Sequence, residues 1–510
     1  MMLGSRSARR SPWGGIGAAV LLLGAAAAVD ASDDRYVSAS LGGYIDGLAV
    51  VDTGGAQRER PQALADLWFE GQAGDLLFGR AEARAAVGGP FEGADTGVFN
   101  FTHTFQNRSP SLDLREAYAE IRLHDADLRL GLQTFAWGKL DGVAPTDVLN
   151  PRDYHDPIVV ELEEAKIGVP AVVVSYYPPD VPRLDLGQLQ VTAAYVPLAV
   201  PARLPLADER WFPPSTDFTA FVVPEDIAGT GMLPIGSDFT IPVDLRTANS
   251  APPKTFRQGG IGLRIGGTWR EVDWALYHYT GPETGPNLDI ETELIRIPGS
   301  PLEIRASTTL RQAHSTMHMT GFDWTTAIGA ATLRAEAAFF QNRAYLRRGN
   351  DIGTEFVRGL TSEEVVGILG DLLNPEIGRA TLSLGDLFVK RDSAEWGIGV
   401  DYLWHGVFAL LQMNQTALFE DAPTLLIGDP DTRFTLVVRR SFLRERLEVE
   451  IRNLYAIEQG SWFVFPRISY LLLDDLRLRI GYLVVGGSKN TLFGQFKAND
   501  ELVLQVRYSF

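Results

Sequence analysis

Residues 501–510 read ELVLQVRYSF. In an extended chain Leu502, Leu504, Val506, Tyr508 and Phe510 fall on one side. Glu501, Val503, Gln505, Arg507 and Ser509 fall on the other, because strand side chains alternate with period two. One face is apolar throughout and closes on two aromatics; the other is mostly polar. A soluble sandwich would bury the apolar face against a second sheet. An aromatic pair ending such a strand fits instead the girdle where a barrel wall meets a membrane interface.

The same alternation recurs upstream. Leu476, Leu478, Ile480 and Tyr482 alternate with Arg477, Arg479 and Gly481, and Leu447, Val449 and Ile451 with Glu448, Glu450 and Arg452. Phe434, Leu436 and Val438 alternate with Arg433, Thr435 and Arg439, with Val437 the one interruption. Ala117, Ala119, Ile121 and Leu123 alternate with Glu116, Tyr118, Glu120 and Arg122, and Leu128, Leu130 and Leu132 with Arg129, Gly131 and Gln133. A lipid-facing Arg or Lys costs about 2–4 kcal/mol at the bilayer midplane, so the charged faces must point inward. With Arg334, Glu336 and Arg507 they predict a polar lumen. Its arginines outnumber its acids, which would favour anions. The preferred account is that neighbouring strands pair Glu with Arg in ladders that stiffen the wall.

Bulk properties agree. The chain is 45% hydrophobic with a mean hydropathy of −0.01, far too polar for a bundle of membrane helices. A barrel need not be more apolar, since alternate residues face lipid. The 51 glycines and 29 prolines favour many turns. There is no cysteine, which excludes disulfides and thiolate chemistry. A net charge of −18 argues against a nucleic-acid partner. Short connections are expected at 71–74, 124–125, 268–270, 328–329, 405–406 and 473–474, and long ones at 88–112, 138–169, 198–256, 344–393 and 486–499. That short–long parity predicts an all-β, transmembrane antiparallel barrel of about 16–18 strands with long external loops. The segments 282–313 and 486–499 can each be read two ways, which leaves the count open.

The first residues read as an export signal. Arg6, Arg9 and Arg10 precede the apolar run GIGAAVLLLGAAAAV at 15–29, and Val29, Asp30 and Ala31 offer a cleavage point. The run falls short of the ~20 residues of a spanning helix. Ordinary secretion suits a barrel better than a twin-arginine route, which carries folded cargo. Residues 1–31 are therefore expected to be a signal peptide and 32–510 a single barrel. A terminal phenylalanine on an amphipathic strand also resembles the signal read by bacterial barrel-insertion machinery. The expected partners are that machinery and outer-membrane lipid, with the barrel a monomer or a homo-oligomer.

One segment stands apart, TFAWGKLDGVAPTDVLNPRDYHDPIVVELEEAKIGVPAVVVSYYP at 134–178. Asn150-Pro151 favours a turn, and Pro157 and Pro170 keep the chain extended. Lys139, Arg152 and Lys166 interleave with Asp141, Asp147, Asp153, Glu161, Glu163 and Glu164. By analogy with the inward loop of general porins, this stretch is expected to fold into the lumen and narrow it, its charges meeting Arg122, Arg129 and their neighbours. The competing account is a loop packed for rigidity, its charges paired only with each other. The W-G-K of 137–139, the D-V-L-N-P-R-D of 147–153 and the E-E-A-K-I-G-V-P of 163–170 resemble a poorly characterised family of large proteobacterial outer-membrane barrels. Its members carry a W-G…N-P-R-D segment between two strands. The resemblance implies a porin-like channel for small or hydrophobic solutes. Sterol-like cargo is associated with some relatives, but no motif here specifies one.

Elsewhere, Pro201, Pro205, Pro213, Pro214, Pro252 and Pro253 predict an extended, irregular stretch at 198–256. Thr361 and Glu364 form a capping-box pattern ahead of Val365, Ile368, Leu369, Leu372 and Leu373, predicting a short external helix. It would lie in the mouth as a lid or pack on neighbouring loops. An enzyme finds no support. No histidine has a nucleophile setting, and His155, beside Asp153 and Asp156, has no serine partner in view. His314 and His318 lie about 13 Å apart on a strand, too far to share a metal. No cofactor is implied. The alternative to a channel is a plugged barrel acting as a receptor, adhesin or assembly component.

Overall fold

The computed structural model describes residues 37–54, 60–88, 97–99, 111–159, 161, 164–205, 210–213, 220–222, 240–248, 259–285, 287–297, 304–313, 315–347, 361–374, 376–420 and 425–510. The expected signal peptide, Glu163 and His314 lie outside these residues.

Alternating sequence becomes strand, and the strands close on themselves. In chain order they are β1 (Val37–Asp52), β2 (Arg60–Ala73), β3 (Leu77–Gly88), β4 (Ser111–Arg122), β5 (Ala126–Gln133), β6 (Val169–Tyr176), β7 (Leu186–Val196), β8 (Gly260–Trp269) and β9 (Val272–Pro282). They continue as β10 (Thr316–Ile328), β11 (Ala331–Leu346), β12 (Phe388–Trp404), β13 (Val407–Leu418), β14 (Asp431–Phe442), β15 (Leu447–Ala456), β16 (Ser461–Leu473), β17 (Leu476–Gly486) and β18 (Glu501–Ser509). Each pairs antiparallel with its sequence neighbours, and β18 pairs back to β1, setting Gly47 opposite Val506. Phe510 completes the seam through backbone hydrogen bonds to Gly43 in both directions, each 3.0 Å. The result is a closed 18-stranded antiparallel barrel, whose every wall strand is paired and which therefore has no edge.

The outer face is apolar and unburied. Leu41, Leu67, Leu276, Ile398, Ile480 and Leu504 all stand exposed. At the end carrying both termini of the wall, Tyr176, Trp269, Tyr402, Trp404, Phe442 and Tyr508 are exposed as well. Toward the other end Tyr195, Phe339, Tyr455 and Tyr482 repeat the pattern. An apolar band between aromatic girdles has one solvent that suits it, a lipid bilayer. This is a membrane-spanning β-barrel.

The tight turns fall within a few residues of the sequence-based positions, at 74–76, 123–125, 270–271, 329–330, 405–406 and 474–475. The two ambiguous segments add no wall strands. Residues 487–500 form a loop containing a single 3-10 turn, Gly494–Phe496. Asn287–Arg296 and Ile304–Ala313 pair with each other beyond the barrel rim. They join Arg379–Asp386, Thr240–Ala248 and Ala220–Val222 in a five-stranded external sheet. The stretch 198–256 is thus partly ordered as strand rather than irregular throughout. The helix Ser362–Leu373 forms with the full reciprocal capping box between Thr361 and Glu364. Its Leu372 is buried with Leu288, Leu294, Ala380 and Leu387, so it packs on the external sheet.

Candidate functional site

Residues 134–168, between β5 and β6, do not stand outside the barrel. They turn inward at its external end and reach almost every part of the inner wall. Asn150 sets the fold of the loop. Its Oδ1 accepts from Phe135 N at 2.7 Å, and its Nδ2 donates to the Gln133 and Ile167 carbonyls at 3.3 and 2.8 Å. One buried amide thereby ties together the stem that leaves β5 and the stem that enters β6.

The first arm, residues 135–149, is held mainly by packing and by wall side chains bonded to its backbone, with an ion pair to the wall from Asp141. Trp137 is buried, its ring 5.2 Å from that of Tyr277 and 6.5 Å from that of Phe135. It joins Val148, Leu149, Ile167, Met319 and Phe340 in one apolar cluster. The loop reaches β11 at Glu336, which is 1% exposed. The carboxylate accepts from Lys139 N (3.0 Å), Leu140 N (3.3 Å), Thr146 N (2.6 Å) and Thr146 Oγ1 (2.7 Å). Gly138 has φ +87°, and a Cβ there would stand 2.7 Å from Glu336, so both backbone conformation and space call for glycine. On β13, Gln412 accepts from Asp141 N at 3.0 Å, and Asn414 donates to the Val143 carbonyl at 3.0 Å.

The second arm, residues 152–166, is held by charge. Glu161 lies between Arg467 (2.6 Å), Arg452 (2.7 Å) and, farther off, Arg479 (3.8 Å). Burial opposes its ionisation, but Arg467 and Arg452 overcome that and hold its pKa at about 2. Glu164 meets Arg507 at 3.1 Å and Arg84 at 3.6 Å, while its carbonyl accepts from Arg115 at 2.8 Å. Asp153 bonds His155 Nδ1 at 2.6 Å and lies 3.6 Å from Arg203. Burial raises its pKa, yet the contacts with His155, its hydrogen bonds included, and the charge of Arg203 leave it well below the usual carboxylate range.

The loop charges therefore divide. Asp147, Arg152 and Lys166 pair among themselves, with Asp147 2.9 Å from Arg152 and 3.1 Å from Lys166. Asp141, Glu161 and Glu164 cross to the wall, Asp141 through Arg334 at 2.7 Å. Lys139 lines a cavity of about 360 Å³ beneath the first arm, with Glu120, Arg129 and Arg264. The expected partners Arg122 and Arg129 are not those the loop uses. Both bind Glu120, at 2.7 and 2.5 Å.

The other sequence-derived lumen residues bond mainly within the wall. Glu116 accepts from Thr134 and lies 2.9 Å from Arg80. Glu450 pairs with Arg452 and Arg467 at 2.5 and 2.7 Å, and Arg433 with Asp431 at 2.5 Å. Arg439 stacks on Phe408. Glu448 and Arg477 occupy the next inward positions of β15 and β17, opposite Ser469 and Arg507.

Sequence reasoning missed Arg84, Arg115 and Arg467, which bind the second arm, and Asp46 and Asp66, which pair with its arginine partners Arg507 and Arg84. The outward partners of Arg84 are alanines, so the stretch lacks the apolar half of the alternation. Arg115 is turned inward by a β-bulge between β3 and β4. Arg467 follows Pro466, whose missing N–H argues against a central strand. The one available signal was charge recurring at period two, in Arg80, Glu82 and Arg84.

The second arm, β1–β4 and β16–β18 enclose a cavity of about 150 Å³. Among solved structures the fold is similar to Acinetobacter baumannii OccAB1, with 9% identity over 93% of this chain and 96% of that one (TM-score 0.47). It is also similar to Pseudomonas aeruginosa OpdK with vanillate, at 10% identity over 93% and 98% of the two chains (TM-score 0.44). A third is Pseudomonas aeruginosa OccK2 (OpdF) in complex with glucuronate, at 10% identity over 93% and 98% (TM-score 0.45). No curated protein matches the chain. Residues 91–510 match the family described as protein of unknown function (DUF1302), and the chain belongs to that family.

Proposed function

We propose that this barrel is a passive channel whose bore is set by the inward loop 134–168. One observation carries the reading: the loop is held inside the barrel by side chains from strands spread around the wall, Arg84 on β3, Glu336 on β11, Gln412 on β13, Arg452 on β15, Arg467 on β16 and Arg507 on β18. A rigid obstruction that leaves cavities beside it filters by size and by the field of the charges around the gap. Solutes are small, polar or partly apolar, and cross without energy input. The lumen-lining arginines and acids act mainly as paired ladders, with selectivity arising where a pair is incomplete. Lipid contacts the outer band, insertion machinery takes up the strand ending at Phe510, and residues 1–31 direct export.

Swelling of liposomes loaded with purified protein tests this reading. Entry of small sugars and amino acids, with exclusion of larger oligosaccharides, is expected. No flux of any solute would favour the plugged receptor or adhesin, for which the external five-stranded sheet would supply the binding surface.

A further inference from the structure

The cavity beside the second arm has a built-in polarity. Its inward-facing residues on β1–β3 and β16–β18 include Asp46, Arg84, Arg467, Arg479 and Arg507, with Asp66 beside Arg84. One inward step farther toward the external end of the same strands lie Leu48, Leu64, Ala86, Phe465, Gly481 and Gln505. Val50, Val503 and Val159 of the loop line the cavity as well. Apolar side chains thus adjoin a ring of charged ones.

The ring is not evenly neutralised. Arg467 has Glu161 at 2.6 Å and Glu450 at 2.7 Å; Arg507 has Asp46 at 2.7 Å and Glu164 at 3.1 Å. Arg84 has Asp66 at 2.7 Å, and Arg115 has Glu82 at 3.1 Å. Arg479 differs. Its nearest carboxylate is Glu161 at 3.8 Å, already engaged by two other arginines. Neutral groups take its Nε and Nη1, Ser469 Oγ at 3.2 Å and Gln505 Oε1 at 3.0 Å. It therefore presents a weakly compensated cation to the cavity beside these apolar side chains. A guanidinium so placed is matched by a carboxylate.

We infer that this cavity is a binding site for organic monoanions with an apolar body, the carboxylate on Arg479 and the body against Leu48, Leu64, Phe465 and Val503. The site names the solute class of the proposed channel, and it rests on that reading for its purpose only. An ordinary ladder position for Arg479 would give no ligand dependence.

Titration calorimetry on the full chain in nanodiscs, with sodium 3-phenylpropanoate as probe, needs no conductance. Arg479→Gln is expected to weaken binding about tenfold, while Arg479→Lys retains most of it. Leu64→Ser with Val503→Ser weakens the same probe without touching the cation. The neutral 3-phenylpropanamide and acetate, each lacking one half of the match, bind about tenfold more weakly or not at all. Equal binding of acid and amide, or an unchanged affinity in Arg479→Gln, overturns the inference. Probe binding without solute flux into liposomes leaves the site standing and removes the channel. Flux without probe binding does the reverse.

Discussion

The two arms of the inward loop are fastened by different physics. The first uses an apolar cluster around Trp137 and the Glu336 and Gln412 acceptors that satisfy its backbone N–H groups, with a further ion pair from Asp141 to Arg334. The second uses Glu161 and Glu164 against arginines that also line a water-accessible cavity. Buried backbone donors cannot be left unpaired cheaply, whereas partly exposed ion pairs are screened and individually weak. The first arm is therefore the structural hinge of the obstruction. The second arm is the side that a solute or a change of salt can disturb.

This contrast predicts an order of effects. Trp137→Ala removes the centre of the first-arm cluster and should destabilise the barrel by about 3–5 kcal/mol. A urea midpoint in lipid vesicles reads this out, and a near-neutral result would dissolve the distinction between the arms. Glu336→Ala strips the acceptor from three buried amides, with a cost of roughly 1–3 kcal/mol for each donor left unsatisfied. Noisier single-channel current should accompany it, as the first arm comes away from β11. Glu161→Gln removes the charge shared by Arg467 and Arg452 and should shift the midpoint by about 1–3 kcal/mol, less than the Glu336 variant. Its conductance, however, should change more between low and high salt than that of the Glu336 variant. The smallest effect concerns pH. Glu161 has a lowered folded pKa, so its contribution is complete above the ordinary value of 4.5 and lost only as pH falls through about 2. Acidification from pH 7 to 5 should leave its contacts intact, and closure of the channel over that range would contradict this assignment.

The wall was readable where both halves of the alternation were strong. At Leu476–Gly486 and Glu501–Ser509 the sequence shows aliphatic residues on one face and arginine on the other, and the strands follow. It was unreadable where the outward residues are alanine or glycine, as around Arg84, or where proline enters a central strand, as at Pro466. The loop itself was conspicuous through its mixed charges and its W-G and N-P-R-D runs. Which charges pair across the lumen was not, because that depends on height along the barrel. Arg122 and Arg129 meet Glu120 of the wall, whereas Arg452 and Arg507 meet Glu161 and Glu164 of the loop. Alternation assigns a face; only closure and stagger assign a level.

The claim that the inward loop sets the bore is tested most directly by single-channel conductance of a variant in which residues 141–161 are replaced by a short Gly-Ser linker, with heat-modifiable gel migration reporting the folded barrel. The account predicts a several-fold rise in conductance and a loss of selectivity among ions. A folded variant with unchanged conductance and unchanged selectivity would contradict it.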